Sequence, residues 1–550
     1  MKSISVKRTA AMLMVLCMLF SFAGCKKKTS SGSSDYDVEY VYEYEDESQN
    51  QSGDNSGDAA SNTSSGKKKS GKRTSTGGGT TSVDFNDVLS RQELENEVTI
   101  TLGISTMEKP EMEYILPAFN KKYPKVTVKL EEIASSLLDI TPKWTSLAAT
   151  GKLPDVVIGS ENFGYIMQQG WAYPLDNLLA SDTNKNDVLA MGLDRYRYEG
   201  KLYALPFRLQ FNTIFVNTDL LNSLNLQKPG YDWNLSTFMS LAKAATTDKT
   251  SGLNYIYSGN STYGFDNKVL SAYLPDGYEQ YGFNMKQGAF DLNANNAFVA
   301  SNNFIKELKS VPALVSDDLK YSKHDGVTDY EARFGKDADA FVSGKVLFGN
   351  HNTWEMDWFM YTLQYNADMY PVPTADNIQQ RIQTHVDFVF MNSKCTKKNY
   401  VAAYALCRFL SYDTDGCNAR IDYMMNHSRK DRGAFTFYGP ASASQAVLDN
   451  FKSQAKLPGG IKYMLEKVVK DPTHTQVADC DKVVPDFWSN VDQYRKSVNE
   501  KISDGADPAA QVGDLQTKIN AATKSSLEYL SKQVKANQDK FYSSHDYETR

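Results

Sequence analysis

Between Val98 and Leu130 the hydrophobic period changes twice, and this limits the fold more than any other feature of the chain. Val98, Ile100 and Leu102 alternate with Thr99 and Thr101, the two-residue period of a half-buried strand. Met112, Leu116 and Phe119 then recur at helical spacing, with Pro117 marking a kink or an early turn, before Val126, Val128 and Leu130 alternate again. Two strands joined through a helix run parallel, because a tight hairpin cannot make that connection. A helix through 138–149 and a third strand at Asp155–Ile158 extend the pattern. The expected class is α/β with a parallel sheet, whose ligand crevice lies beyond the carboxyl ends of the strands. Gly103–Met107 and Gly159–Phe163 are the loops at those ends, which makes Glu161 and Asn162 candidates for polar contacts.

The N-terminus carries a processing pattern. Lys2, Lys7 and Arg8 form a charged start, Ala10–Phe20 is an apolar core, and Phe22-Ala23-Gly24-Cys25 closes it with small residues before a cysteine. The uncharged run Thr9–Cys25 is 17 residues long, short of the roughly 20 that span a bilayer as a helix. The pattern resembles the lipobox of bacterial lipoproteins, which implies removal of residues 1–24, a diacylglycerol on the Cys25 thiol and export. From Lys26 to about Glu97 the composition shifts to Ser, Gly, Thr, Asp and Glu, too few apolar groups to offset the entropy of ordering. Residues 25–96 are therefore expected to be a disordered tether, with a root-mean-square span of roughly 45–50 Å. Its acidic run Asp35–Glu47 and basic run Lys67–Arg73 read as solvated linker.

With 550 residues, the chain is too long for one ordinary domain, so two globular bodies or one large bilobal one are expected. Its 60 Lys and Arg against 66 Asp and Glu leave no basic footprint for nucleic acid. Six cysteines cannot form a dense disulfide scaffold, and two of them, Cys17 and Cys25, lie in the leader; Cys395, Cys407, Cys417 and Cys480 are left unpaired. Asp182, Asn184, Asn186 and Asp187 imitate half a calcium loop, but Asp187 and Leu193 stand where Gly and Glu belong. The histidines are scattered, and no Walker loop, GxSxG or Rossmann fingerprint is present. Neither a metal nor a cofactor is expected.

Beyond the third strand the chain resembles the extracellular solute-binding proteins of the maltose-binding type, the lipid-anchored or periplasmic receptors of ABC sugar importers. The matching pieces are Leu147–Asp155, Gly170, Pro174-Leu175-Asp176, Tyr198–Pro206, Phe215–Leu221 and Asp232-Trp233. They continue through Phe341–Lys345, Tyr370–Pro373 and Asp387–Leu410. The resemblance implies a type II periplasmic-binding-protein fold, two interleaved α/β lobes joined by hinge crossovers. Residues 97–209 with 377–430 would build one lobe, 210–376 with 431–535 the other, and 536–550 a tail. Leu202 and Ala204, between Gly200 and Pro206, read as a strand crossing between lobes, and Pro371 and Pro373 favour an extended segment suited to another crossing.

Sugars offer hydroxyls that need hydrogen-bond partners and apolar C–H faces that lie on aromatic rings. By resemblance, Trp354 after the FVSGK strand and Trp488 in the Asp486-Phe487-Trp488 element would stack on the ligand. Glu161 and Asn162 would follow the third strand as the polar pair, Ser105 and Thr106 would form the loop after the first, and Gln210 would stand where relatives carry an acid or amide. Arg208 lies beside the crossover. Trp358 falls one turn after Trp354, while Trp144 and Trp233 read as structural.

The implied protein is a monomeric receptor for a carbohydrate, an oligosaccharide, that serves an ABC permease from the outer face of the membrane without catalysis. A surface enzyme acting on glycans would need two carboxylates facing each other across a cleft, and the sequence offers no such constellation. A receptor of the same fold for a non-sugar solute, or for sensing, is the other alternative.

Overall fold

The computed structural model describes residues 88–135, 140–255, 264–311, 315–316, 334, 340–355, 362–427, 437–545 and 548. The leader, Cys25, tether residues 25–87 and Trp358 lie outside the described residues.

The opening period changes become β1 (Val98–Ser105), α1 (Lys109–Lys122), β2 (Val126–Ala134), α2 (Ile140–Ala149), β3 (Val156–Gly159) and α3 (Phe163–Gln169). β1 pairs in parallel with both β2 and β3. Pro117 sits inside α1, which continues past it to Lys122. Gly170, at φ 66°, ends α3 with its N–H bonded to the carbonyls of Ile166 and Met167, a left-handed cap that glycine adopts without strain.

Leu202 and Ala204 do not form the crossing strand. Leu202 belongs to a short hairpin (Arg197–Tyr198 with Lys201–Leu202), and the crossing begins at β4 (Leu205–Phe211). After the single residue Asn212, β5 (Thr213–Asn217) enters a second sheet. The chain then builds α4 (Leu235–Ala245), β6 (Ser251–Tyr255), α5 (Phe265–Tyr273), α6 (Ala297–Lys309), β7 (Val315–Ser316), β8 (Val346–Gly349) and β9 (Ala367–Pro371). That sheet has the order β7–β6–β8–β5–β9. The extended stretch after Pro371 returns the chain to the first sheet as β10 (Ile382–Met391), antiparallel to β3 and β4.

Next come α7 (Tyr400–Ser411), α8 (Thr414–Asn426), β11 (Gly439–Pro440), α9 (Gln445–Ser453), α10 (Gly459–Lys470) and β12 (Thr475–Val477), followed by α11 (Gln493–Ser503) and the long α12 (Pro508–Ser544). The first sheet has the order β11–β4–β10–β3–β1–β2, with β12 paired to β10. This is the interleaved α/β architecture of type II periplasmic binding proteins.

Among the described residues three apolar cores explain the layout, and they shift some expected boundaries. Val88 and Leu94 are buried in the first core, so the folded body starts before residue 97 and takes in the last tether residues. Val447, Leu448, Phe451, Ile461, Met464 and Leu465 are buried in that same core, which also takes in Phe215 of β5 and Met369 of β9, and the Gly460 N–H at the start of α10 donates to the Asp368 carboxylate of β9 at 3.1 Å, so these helices pack where the two sheets adjoin. Ile214, Trp233, Phe238 and Phe348 form the second core. A third joins α5 and α6 to Phe487, Val491, Leu515 and Ile519. α12 bridges two cores: Leu515 and Ile519 are in the third, Val534 and Phe541 in the first. Residues 536–544 of the expected tail are thus the end of α12, where Phe541 packs edge-on against Tyr173 at 4.7 Å.

Candidate functional site

The two sheets meet where β4 passes into β5 beside β10, and polar side chains fill that seam. Gln210 accepts a hydrogen bond from the Thr353 hydroxyl at 2.8 Å, and the same hydroxyl oxygen accepts the Phe211 N–H at 2.9 Å. The neighbouring Trp354, half-buried, sets its ring edge-on to the imidazole of His385, with centroids 5.3 Å apart. His385 is held from both sides, Nδ1 2.6 Å from Asp479 and Nε2 3.0 Å from the Asn212 side-chain oxygen.

Asp479 links the seam to a second group. Its other oxygen accepts the Val386 N–H at 2.6 Å, and the buried Lys482 ammonium lies 3.3 Å from Asp479 and 3.6 Å from Asp387. Burial opposes charge on Asp479, but Lys482 and then His385 overcome it and hold the carboxyl well below its usual range. Glu161 behaves in the opposite way: burial pushes its carboxyl up, and Lys482 only partly offsets this. Asp481 is likewise pushed up, by burial and then by the charge on Asp479. A carboxyl raised in this way can donate a hydrogen bond as well as accept one.

Beside this charged floor opens a cleft of about 630 Å³, lined by Asn162, Tyr165, Asp481, Lys482 and Trp488 among others. Asn162 takes a left-handed conformation, φ 59°, that turns the chain from β3 into α3. Trp488 is 48% exposed although its ring leans edge-on against the buried Phe487 at 5.3 Å. An exposed indole beside amide, carboxyl and ammonium groups can bind a ligand with both an apolar face and polar edges.

The remaining expected residues lie elsewhere. Arg208 is fully buried, bonded to Glu108 at 3.2 Å and Glu111 at 2.8 Å. Arg420 reaches Glu111 at 2.9 Å, and the Tyr438 hydroxyl donates to the same carboxylate. Ser105 is equally buried and gives its hydroxyl proton to Glu108. Both are thus committed to an interior ion cluster between β1, α1, β4 and α8, so we leave them out of the site. Thr106 is exposed and donates to the Ala134 carbonyl at 3.3 Å. Trp233 is structural as expected, its indole N–H bonded to the Pro371 carbonyl at 2.8 Å, and Trp144 is fully buried.

The reading from sequence missed Tyr165, His385, Asp387, Asp479 and Lys482. One signal was available: Asp479, Asp481 and Lys482 put three charges in four residues shortly before Trp488. His385 and Asp387 had none, since they are interior positions of a buried strand.

Among the described residues no group of three or more His, Cys, Asp or Glu could hold a metal ion. Asp182 from the imitation calcium loop is buried and bound by Arg408 at 3.0 Å and Tyr412 at 2.6 Å. Cys395, Cys407, Cys417 and Cys480 are buried and free.

Two mixed sheets, exchanged through crossovers and enclosing a polar seam, define a bilobal solute-binding protein. The chain belongs to the bacterial extracellular solute-binding protein family, whose sequence model matches residues 105–410. Among similar solved structures is the maltose-binding periplasmic protein MalE of Listeria monocytogenes, in complex with maltose. It is 16% identical, with 78% of this chain and 98% of that one covered and a TM-score of 0.57. An ABC substrate-binding protein of the same organism, in complex with cycloalternan, is 18% identical, with 78% and 99% covered and a TM-score of 0.54. UgpB of Mycobacterium tuberculosis, in complex with glycerophosphocholine, is 14% identical, with 78% and 99% covered and a TM-score of 0.53. Among the described residues no helix is long and apolar enough to cross a membrane.

Proposed function

We propose that this chain is a lipid-anchored extracellular receptor that captures an oligosaccharide between its lobes and delivers it to an ABC permease. The observation that carries this reading is the exposed Trp488 in a cleft shared with Asn162, Tyr165 and Lys482. The indole offers a face for sugar C–H groups, and the raised Glu161 and Asp481 carboxyls offer both halves of a hydrogen bond to hydroxyls. Gln210 and Trp354 stand in the neighbouring seam, linked to this cleft through His385, Asp479 and Lys482, and would extend the site along it. Family membership supports capture without turnover. MalE and the cycloalternan-binding protein, both with this fold, support a carbohydrate.

Transport would work by a population shift: a ligand that touches both walls only when the lobes close makes closure favourable. Moving that equilibrium from mostly open to mostly closed requires roughly 5.5 kcal/mol of differential affinity. The lipobox at Cys25 would keep the receptor on the membrane surface beside its permease. Calorimetry with linear and cyclic maltooligosaccharides tests the cargo, and chromatography of the same mixtures after long incubation tests turnover. Saturable binding with unchanged sugar is expected; hydrolysed product would replace the receptor with an enzyme. Glycerophosphocholine, found in complex with UgpB, a protein of the same fold, is the informative non-sugar competitor. Metabolic labelling with a fatty acid, lost in Cys25→Ser, tests the anchor.

A further inference from the structure

The cleft at Trp488 takes part of its lining from Pro142 and Thr145 of α2 and from Tyr165 and Gln168 of α3. A second hollow, of about 260 Å³, begins further along the same two helices, at Ala148 and Gln169, and reaches Trp171 and the end of α12. Resting on the reading of the cleft as a sugar site, we propose that the two hollows form one groove with a distal stacking subsite at Trp171. The cargo is then a linear oligosaccharide longer than a trisaccharide.

Helix geometry gives the groove its direction. Pro142, Thr145 and Ala148 recur every three residues, so they share one face of α2 and lead away from the cleft over roughly 9 Å. Tyr165, Gln168 and Gln169 lead the same way along α3. Tyr165 stands where the hollows adjoin. Its hydroxyl lies 3.4 Å from that of Thr145 on the opposite bank, and its ring meets the Trp171 ring edge-on at 5.6 Å. One aromatic side chain of the cleft is therefore in direct contact with one of the outer hollow.

The side chains along this path have the chemistry of a sugar surface. Trp488, Tyr165 and Trp171 offer rings for C–H faces, with Gln168 and Gln169 between them. Among the described residues neither glutamine amide nor the Trp171 indole N–H has a hydrogen-bond partner. The neighbouring amides are occupied: Asn392 donates to the Leu153 carbonyl at 2.8 Å and Asn537 to the Gln168 carbonyl at 3.0 Å. These two hold the wall, whereas the glutamines keep a donor and an acceptor each for vicinal hydroxyls. Trp171 is also fixed in advance. Its N–H donates to the Ile166 carbonyl at 3.3 Å and its carbonyl accepts the Ser393 N–H at 2.6 Å, so little ordering is left to occur on binding.

Calorimetry on the purified full-length chain with maltotriose and maltoheptaose tests the subsite. The parent is expected to bind maltoheptaose about tenfold more tightly than maltotriose. Trp171→Ala should erase most of that gain and leave maltotriose affinity within about twofold of the parent. Because part of Trp171 packs against Tyr165, Gln169→Ala supplies a second arm on an exposed side chain and should cut the gain about threefold. Trp488→Ala should weaken both sugars alike. Equal affinity for the two sugars in the parent, or a length gain that survives both Trp171→Ala and Gln169→Ala, would overturn the distal subsite while leaving the cleft a sugar site. Failure of both sugars to bind would instead remove the sugar reading, and the subsite with it.

Discussion

Replacing Trp488 by Ala asks whether the exposed indole is a ligand platform or a surface accident. A tryptophan offers roughly 200 Å² of surface, and 48% of this residue is exposed. About 100 Å² is therefore free for a ligand, of which one sugar face can cover about two-thirds; at roughly 25 cal/mol per Å² this is about 1.5 kcal/mol. The expected effect is a dissociation constant raised about tenfold. The buried half, against Phe487 of the third core, contributes to folding, so a lower melting temperature should accompany the change without altering the conclusion about affinity. The assay is calorimetry with the best-binding oligosaccharide, run well below the variant's melting temperature and repeated with Trp233→Phe as a tryptophan change outside the cleft. A dissociation constant within twofold of the parent would refute the assignment of Trp488 to the site.

Other consequences concern buried charge. Lys268 donates to the carbonyls of Thr213 at 3.0 Å and His351 at 3.2 Å, beside the first crossover, and burial pushes it down to about 7. The unfolded chain keeps this proton up to about pH 10.5 while the folded one releases it near 7, so stability should rise with pH between those values. Urea unfolding should show the parent gaining about 2 kcal/mol over Lys268→Met between pH 7.5 and 9; identical slopes would contradict a buried neutral lysine. Glu111→Ala leaves Arg208 and Arg420 buried with one carboxylate fewer and should cost about 3–5 kcal/mol of stability, seen as a large fall in melting temperature. Asp479→Asn removes the charge that both His385 and Lys482 face, and should weaken oligosaccharide binding more than it weakens the fold; the ratio of the two losses, from calorimetry and thermal melting, decides this.

Some of this protein can be read directly from residue order. The two-to-3.6-to-two period change between Val98 and Leu130 specifies a parallel strand–helix–strand unit, because side-chain alternation and chain connectivity are local properties. Segment order from Leu147 to Leu410 carries the family, and the positions of Asn162 and Trp488 put them at one cleft in the folded chain. Other matters belong to the tertiary structure alone. Ser105 and Arg208 look like site residues in sequence, yet they are taken by Glu108, just before α1, and Glu111, in its first turn, 97 or more positions from Arg208. His385 and Asp387 lie in the middle of a strand buried along its whole length, where nothing local distinguishes a functional polar residue from a structural one. Their meaning comes from Asp479 and Lys482, some 90 residues later, reaching back through β12. Burial and charge pairing depend on neighbours distant in the chain, which is why the strands were legible in the sequence and the charged floor between the lobes was not.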